Sequence, residues 1–252
     1  MLNEAYVQSR DLKDGIRAIE FFHPSHNSLP SDLLVQLAQA ITDAGKDDAV
    51  HVIILRSGGD RTFCAGASFN ELVSIKDFET GKKFFLGFAN VINACRKCPK
   101  PIIGRVQGKA VGGGVGLASA VDHCFATKFA SVKLSELAVG IGPFVVGPAV
   151  ERKVGLSAYT QMTFNATEFY SAEWATEKGL FAEVSESIEK MDEAIMVLAQ
   201  KLAASNPEAL RLLKEVFWKG GEGWDELLDE RAAMSGELVL SEFTKDALKR
   251  FA

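Results

Sequence analysis

Two glycine-bearing segments could place backbone N–H groups against a bound ligand. They are residues 63–68 (FCAGAS) and residues 112–117 (GGGVGL), and each follows a strand-like apolar run and precedes a helix-like stretch. Because their side chains are small, the backbone can approach a ligand closely. Two fixed N–H groups aimed at one carbonyl oxygen stabilise the charge of an enolate, and loss of one such donor typically costs about 3 kcal/mol. The pair predicts an oxyanion-stabilising site.

The same glycines have other possible explanations. Tight strand-to-helix turns and close packing also favour glycine, although two such segments at this separation favour a shared site. The phosphate-binding patterns G-x-x-x-x-G-K-[ST] and G-x-G-x-x-G do not occur in the chain. Its four histidines form no recognisable Ser-His-Asp set. A nucleotide-binding loop and a serine hydrolase are therefore disfavoured.

One carboxylate, that of Glu136, could transfer protons at such a site. It lies among Leu134, Leu137, Ala138 and Val139, and removal of a carboxylate from water raises its pKa. A carboxylate that titrates near neutral pH can both accept and release protons. The alternative is an exposed glutamate at a helix start or in a loop.

Alternating strand-like and helix-like segments surround these candidates. A helix is predicted from Ser31, as its N-cap, to Gly45, and another through residues 117–120. This order predicts an α/β fold with a mainly parallel sheet. The predicted strands are residues 16–22, 51–55, 101–106, 124–127 and 131–134.

Helical patterns dominate after about residue 150. They cover residues 172–178, 188–204, 207–218 and 224–251. Helices that cannot cover their own apolar faces dock on a core or on a neighbouring subunit. We therefore expect residues 1–195 to form the α/β core and residues 196–252 a C-terminal helical region that serves oligomerisation and covers the site.

The overall composition disfavours several classes of protein. With 252 residues and a formal net charge of −5, the chain can bury a large core and has no basic excess for nucleic-acid binding. No secretory signal or membrane-spanning stretch is recognisable. Cys95 and Cys98 form a C-x-x-C without a second pair, which favours ordinary reduced thiols over a zinc or redox site. A cytoplasmic location is the resulting expectation.

Further motifs occur in order along nearly the whole chain. They are FCAGA at 63–67, Gly108 with glycines 112–114 and Asp122, LSE at 134–136, GIGP at 140–143, residues 171–180, and the tail at 241–251. In order and spacing this set resembles the enoyl-CoA hydratase/isomerase, or crotonase, family. The resemblance implies a spiral of ββα units that binds an acyl-CoA, with coenzyme A as part of the substrate and no metal or redox cofactor. It also implies a homotrimer or a dimer of trimers.

The resemblance assigns roles to individual residues. The N–H groups of Ala67 and Gly113 would be the oxyanion donors, and Glu136 the catalytic carboxylate. His26 occupies a place where relatives often have Lys or Arg near the CoA phosphates. Lys249 and Phe251 resemble tail residues that reach towards CoA. The remaining residues expected to contact substrate are Ala65, Gly66, Ser68, Gly112, Gly116, Gly142, Pro143 and Phe144.

The chain departs from its relatives at two places near the expected reaction centre. Two-carboxylate hydratases carry a second glutamate where this chain has Gly116. Phe144 stands where many relatives have an aspartate, which either favours an apolar acyl chain or fills the core. Glu136 is thus expected to be the single proton-transfer carboxylate.

A single carboxylate narrows the expected reaction. Movement of a double bond between the β,γ and α,β positions requires one proton to leave C2 and return at C4, and Glu136 alone can do both. Hydration is a close second, because one glutamate could relay both transfers through the same water. The alternative from another class is a non-catalytic subunit that binds CoA thioesters or serves in assembly.

Overall fold

A six-stranded sheet forms the centre of the molecule. The computed structural model describes residues 4–250. In spatial order the sheet contains β1 (Tyr6–Asp11), β2 (Ile16–Phe22), β3 (Val52–Ser57), β5 (Ile102–Val106), β7 (His123–Thr127) and β10 (Glu183–Ser185). The pair β1–β2 is antiparallel, and every other neighbouring pair is parallel.

A second, smaller sheet lies at the ends of these strands. It contains β4 (Thr62–Cys64), β6 (Lys109–Val111), β8 (Ser131–Lys133) and β9 (Tyr170–Ser171), and only the β8–β9 pair is antiparallel. The strands β4, β6 and β8 each follow a strand of the large sheet, namely β3, β5 and β7. The chain therefore alternates between the two sheets. Each time it leaves the small sheet, it does so in the same region of the molecule.

Helices follow most of these strand pairs and cover the large sheet. In the first part of the chain they are α1 (Ser31–Lys46), α2 (Phe69–Ser74), α3 (Phe78–Lys97), α4 (Gly113–Ala120), α5 (Gly147–Phe164) and α6 (Ala172–Glu177), with a 3-10 helix at Glu136–Val139. The last part contains α7 (Ile188–Ala203), α8 (Pro207–Phe217), α9 (Trp224–Leu238) and α10 (Glu242–Lys249).

Both faces of the central strands β3, β5 and β7 are largely buried, as expected for strands that read as continuous apolar runs. Ile19 and Leu55 belong to the larger core cluster, together with apolar residues of α1, α3 and α4. Val52 and Ile54 point to the opposite face and pack with Met191, Ile195 and Ala199 of α7. The predicted domain boundary after residue 195 falls inside α7, and the structure places that helix as one unit on the core sheet.

Two of the last helices return to the α/β core. The carboxylate of Asp122 accepts hydrogen bonds from Ile102 N–H at 2.8 Å and from Trp218 Nε1–H at 3.2 Å. It also pairs with the buried Lys214 of α8 at 2.9 Å. In addition, α9 packs so closely on α3 that a β-carbon on Gly236 would lie 2.8 Å from the backbone N of Lys82. The tail is therefore tied to the core by polar contacts and by close backbone packing.

Most predicted elements are confirmed, with three corrections. The helix expected at Ser31 has Pro30 as its N-cap, and Ser31 instead donates its backbone N–H and its hydroxyl to the Glu71 carboxylate. The expected single helix over residues 224–251 is two helices, because residues 239–241 interrupt it. The strands β1, β4, β6, β9 and β10 were not predicted. β4, β6, β9 and β10 have only two or three residues, too short for a periodic pattern to be visible, and the sequence of β1 (YVQSRD) is not an apolar run.

The contact between Gly108 and Arg61 yields a prediction about stability. A β-carbon on Gly108 would lie 2.0 Å from the backbone oxygen of Arg61, in the turn between β5 and β6. We expect Gly108→Ala to lower the free energy of unfolding by roughly 1–3 kcal/mol, because the backbone must shift. Gly223→Ala is the control, since no atom lies within 4 Å of its added β-carbon. Equal denaturant midpoints for the two variants would contradict the prediction.

Candidate active site

Both glycine-bearing segments line one cavity of about 450 Å³. Its wall is completed by residues 135–146, which follow β8, and by aromatic residues of α3. Ala65, Gly66, Ala67, Ser68, Gly112, Gly113, Glu136, Gly142, Pro143, Phe144 and His26 all line it, as expected. The alternation of the chain between two sheets therefore brings together residues that are more than 100 positions apart.

The first segment presents an unpaired backbone donor, Ala67 N–H. Gly66 has φ +92°, and the segment forms a bridge with Leu29 in which Leu29 N–H donates to Gly66 O at 2.8 Å and Ser68 N–H donates to Leu29 O at 3.0 Å. Because neighbouring N–H groups of an extended chain point in opposite directions, Ala67 N–H points away from Leu29. It donates to no other group in residues 4–250.

The second segment presents a matching donor at a helix start. Gly112, with φ +52°, donates its N–H to Lys133 O at 2.8 Å, and α4 begins at Gly113. The first N–H groups of a helix have no partner within the helix and carry partial positive charge. Gly113 N–H accordingly has no acceptor in the described part of the chain. A β-carbon on Gly66 would lie 3.7 Å from Gly113 N, so the two segments are in direct contact.

Glu136 lies beside the second segment. It is the first residue of the 3-10 helix, and a β-carbon on Gly112 would lie 2.9 Å from its Oε1. Its Oε2 is buried and has no hydrogen-bond partner among the described residues. Burial raises the pKa of the Glu136 carboxyl to about 7, against a smaller lowering by its own backbone N–H and that of Ser135. The carboxylate can therefore exchange protons near neutral pH.

Gly116, which was predicted to contact substrate, lies outside the cavity wall. Gly116 is buried in α4 and does not line the cavity, because Val146 covers it. A β-carbon there would lie 2.5 Å from Val146 Cγ1, so any larger side chain would displace that wall. In the described part of the chain, Glu136 is the only acidic residue that lines the cavity.

The far wall of the cavity is apolar. Phe144 packs against Gly142, where an added β-carbon would lie 2.5 Å from the ring, and Val145 and Val146 follow it. Phe84 and Phe88 of α3 also line the cavity, as do Phe85, Ser235 and His23, none of which was predicted. The spacing of Phe84 and Phe88 by one helical turn is a signal that could have identified them.

His26 and His23 both line the cavity. His26 has φ +56°, and the adjacent Asn27 is buried and donates from Nδ2 to Gly58 O at 2.9 Å and to Thr62 O at 2.8 Å. Lys249 is exposed, pairs with Asp246 at 2.7 Å and does not line this cavity. Phe251 lies outside the described residues.

Residues 4–250 give no structural support for a metal site, a redox site or a membrane-spanning helix. The side chains that the structure describes form no group of three or more potential metal ligands. Cys95 and Cys98 are buried free thiols, and burial raises the pKa of both. No helix in this range combines the length and the apolar character needed to cross a membrane.

Comparisons with known proteins agree with the geometry. The chain is 31% identical over 227 residues to the short-chain-enoyl-CoA hydratase of Clostridium acetobutylicum, which covers 89% of this chain and 86% of that protein. It is 27% identical over 242 residues to the peroxisomal Delta(3,5)-Delta(2,4)-dienoyl-CoA isomerase of Arabidopsis thaliana, covering 89% and 85%.

The fold comparison leads to the same group of proteins. The crystal structure of an enoyl-CoA hydratase from Bacillus halodurans superposes with a TM-score of 0.90 at 20% identity, covering 97% of this chain and 99% of that chain. The predicted crotonase-type fold is thereby confirmed. A sequence profile described as enoyl-CoA hydratase/isomerase matches residues 11–250. Since that match spans nearly the whole chain, the protein belongs to the enoyl-CoA hydratase/isomerase family.

Proposed function

We propose that this protein isomerises the double bond of an enoyl-CoA thioester, with Glu136 as its single proton-transfer group. The observation that carries the proposal is the buried carboxylate of Glu136, whose Oε2 has no partner, beside two unpaired N–H groups in a cavity without a second acidic residue in the described range. Such a site stabilises an enolate and moves a proton, and both are needed for this reaction.

The proposed reaction transfers one proton in two steps. Ionised Glu136 takes a proton from C2 of a 3-enoyl-CoA, and the electrons of the C2–H bond form a dienolate. Ala67 N–H and Gly113 N–H donate to its oxygen, and the dipole of α4 adds to this stabilisation. Glu136 then returns the proton to C4, and the double bond moves from C3–C4 to C2–C3. Charges and atoms balance without any cofactor, and we propose that none is required.

Hydration of a 2-enoyl-CoA is the second candidate. It is favoured by the similarity to a protein named as a short-chain-enoyl-CoA hydratase. In this reaction Glu136 would have to activate a water molecule and also supply the α-proton, because Val146 occupies the space beside Gly116. The geometry favours isomerisation over hydration because isomerisation requires Glu136 to transfer only one proton, which a single carboxylate can do.

Binding of the coenzyme is proposed at the rim of the cavity. His26 lies there, where it can meet a phosphate of CoA. Lys249 and Phe251 would contribute from the tail, through a neighbouring copy in a homotrimer or a dimer of trimers. Four free, buried cysteines suit a reducing compartment such as the cytoplasm.

The reaction itself is tested with a panel of substrates. The protein is incubated with 2-enoyl- and 3-enoyl-CoAs in deuterated water, and the products are analysed by mass spectrometry. Deuterium uptake with bond migration and no added water supports isomerisation, whereas a gain of one water supports hydration. Binding of thioesters without any turnover would overturn both and favour a non-catalytic binding or assembly subunit.

Replacement of the carboxylate tests its catalytic role. We expect Glu136→Gln to lower kcat by roughly 10²- to 10⁴-fold, because the amide cannot accept the C2 proton. Steady-state kinetics on the substrate that turns over fastest provide the measurement. Glu237→Gln, an exposed change in α9, is the matched control and should keep the wild-type rate. Unchanged turnover in Glu136→Gln would refute the mechanism.

The same variant has an expected effect on stability. The pKa of Glu136 is about 7 in the folded protein, above the ordinary glutamate value of 4.5. The folded state thus binds the proton more tightly, and its stability falls as pH rises from about 4.5 to about 7. Glu136→Gln removes this loss, so its free energy of unfolding relative to wild type should increase over that range and level off above it. Denaturant titrations at several pH values test this, and a constant difference at all pH values would contradict it.

A further inference from the structure

The C-terminal helix α10 packs directly on the segment that carries Glu136. Thr244 is fully buried, and its Oγ1 donates a hydrogen bond to Gly140 O at 3.2 Å. Gly140 ends the 3-10 helix that begins at Glu136, and its φ is +82°. A β-carbon on Gly140 would lie 2.6 Å from Thr244 Oγ1 and 2.6 Å from Phe243 Cδ1. The contact is therefore close as well as polar.

The hydrogen of the Thr244 hydroxyl has a fixed direction. Ser241, the N-cap of α10, accepts from Thr244 N–H at 3.2 Å and donates from Oγ to Thr244 Oγ1 at 3.1 Å. A hydroxyl has one hydrogen to donate, and here it is committed to Gly140 O. The hydrogen bonds between Ser241 and Thr244 thus orient one hydrogen-bond donor, the Thr244 hydroxyl, towards the 3-10 helix.

A single peptide group joins this donor to Glu136. The Gly140 carbonyl accepts from Thr244, and the N–H of the same peptide group, which belongs to Ile141, donates to the backbone oxygen of Glu136 at 3.0 Å. A hydrogen bond that polarises or orients one end of a peptide group also affects its other end. The Gly140–Ile141 peptide is therefore fixed between α10 and the backbone of Glu136.

We propose that Thr244 is a positioning residue for Glu136, acting through the Gly140–Ile141 peptide group. The inference rests on the proposed function in that it assigns the positioned carboxylate a role in turnover. A carboxylate displaced by a fraction of an ångström loses alignment with both C2 and C4. The tail of the chain therefore contributes to the site without lining the cavity.

The charged side chains of α10 do not account for the link between Thr244 and Glu136. Lys245 pairs with Glu242 at 2.8 Å and Lys249 with Asp246 at 2.7 Å, and all four are exposed. The pKa of Tyr159 in α5 is raised, mainly by burial and in smaller part by the charge of Glu136. Tyr159 therefore stays neutral over the pH range in which Glu136 titrates.

The proposal is tested with Thr244→Val, which keeps the shape of the side chain and removes the hydroxyl. We expect kcat to fall about tenfold while KM changes less than about twofold, because substrate binding does not use Thr244. Thr244→Ser should restore the wild-type rate. Thr42→Val is the matched control, since Thr42 Oγ1 also donates to a backbone carbonyl, that of Ala38 at 2.8 Å, but lies in α1 outside the cavity wall.

A second readout does not depend on turnover. In protein labelled with ¹³Cδ-glutamate, the NMR signal that disappears in Glu136→Gln belongs to Glu136. Its pKa should move from about 7 towards 4.5 in Thr244→Val, because water reaches a loosened 3-10 helix, and recover in Thr244→Ser. If Thr244→Val does not fold, Ser241→Ala should give a smaller shift in the same direction.

The outcomes separate the two proposals. Activity that survives Glu136→Gln refutes the proposed mechanism, while the NMR titration still decides whether Thr244 positions the carboxylate. If Glu136→Gln is inactive but Thr244→Val matches Thr42→Val in both kcat and the pKa of Glu136, the positioning role is overturned.

Discussion

The site depends on two backbone N–H groups that the fold leaves unpaired at one point. Burial of such a group without a partner is costly, so the surrounding chain must hold it in place. The bridge to Leu29 turns Ala67 N–H away from Leu29, and Gly113 N–H lies at the start of α4, so neither has an acceptor in the described part of the chain. The alternation of the chain between two sheets brings these strand ends together, and the contact of Gly66 with the second segment sets their spacing.

The carboxylate completes the site at a further cost in stability. Glu136 lies where its charged form is poorly solvated, and its raised pKa reflects that destabilisation. The rest of the molecule compensates through a large apolar core and through a tail that returns to it. Lys214 and Asp122 anchor α8 to the core, while α10 contacts the end of the 3-10 helix. Regions far apart in sequence thus hold one buried carboxylate in place.

Sequence patterns predicted the central strands well because these are apolar, and β2 and β5 are also bounded by glycine or proline. β2, β5 and β7 were recognised within one residue of their observed limits. Short strands such as β9 and β10 escaped, since two or three residues carry no periodic signal. The N-cap at Ser31 was wrong for a different reason: Glu71, forty positions away, caps this helix through space.

For the site, the sequence by itself determined the residue types: small residues at 63–68 and 112–117, one glutamate at 136, and glycine at 116. The tertiary structure decided what surrounds them. Val146 fills the space beside Gly116, Phe84 and Phe88 supply the apolar wall, and Thr244 reaches the end of the 3-10 helix. These contacts join distant segments, and local sequence cannot specify them because they arise only when helices and sheets pack together.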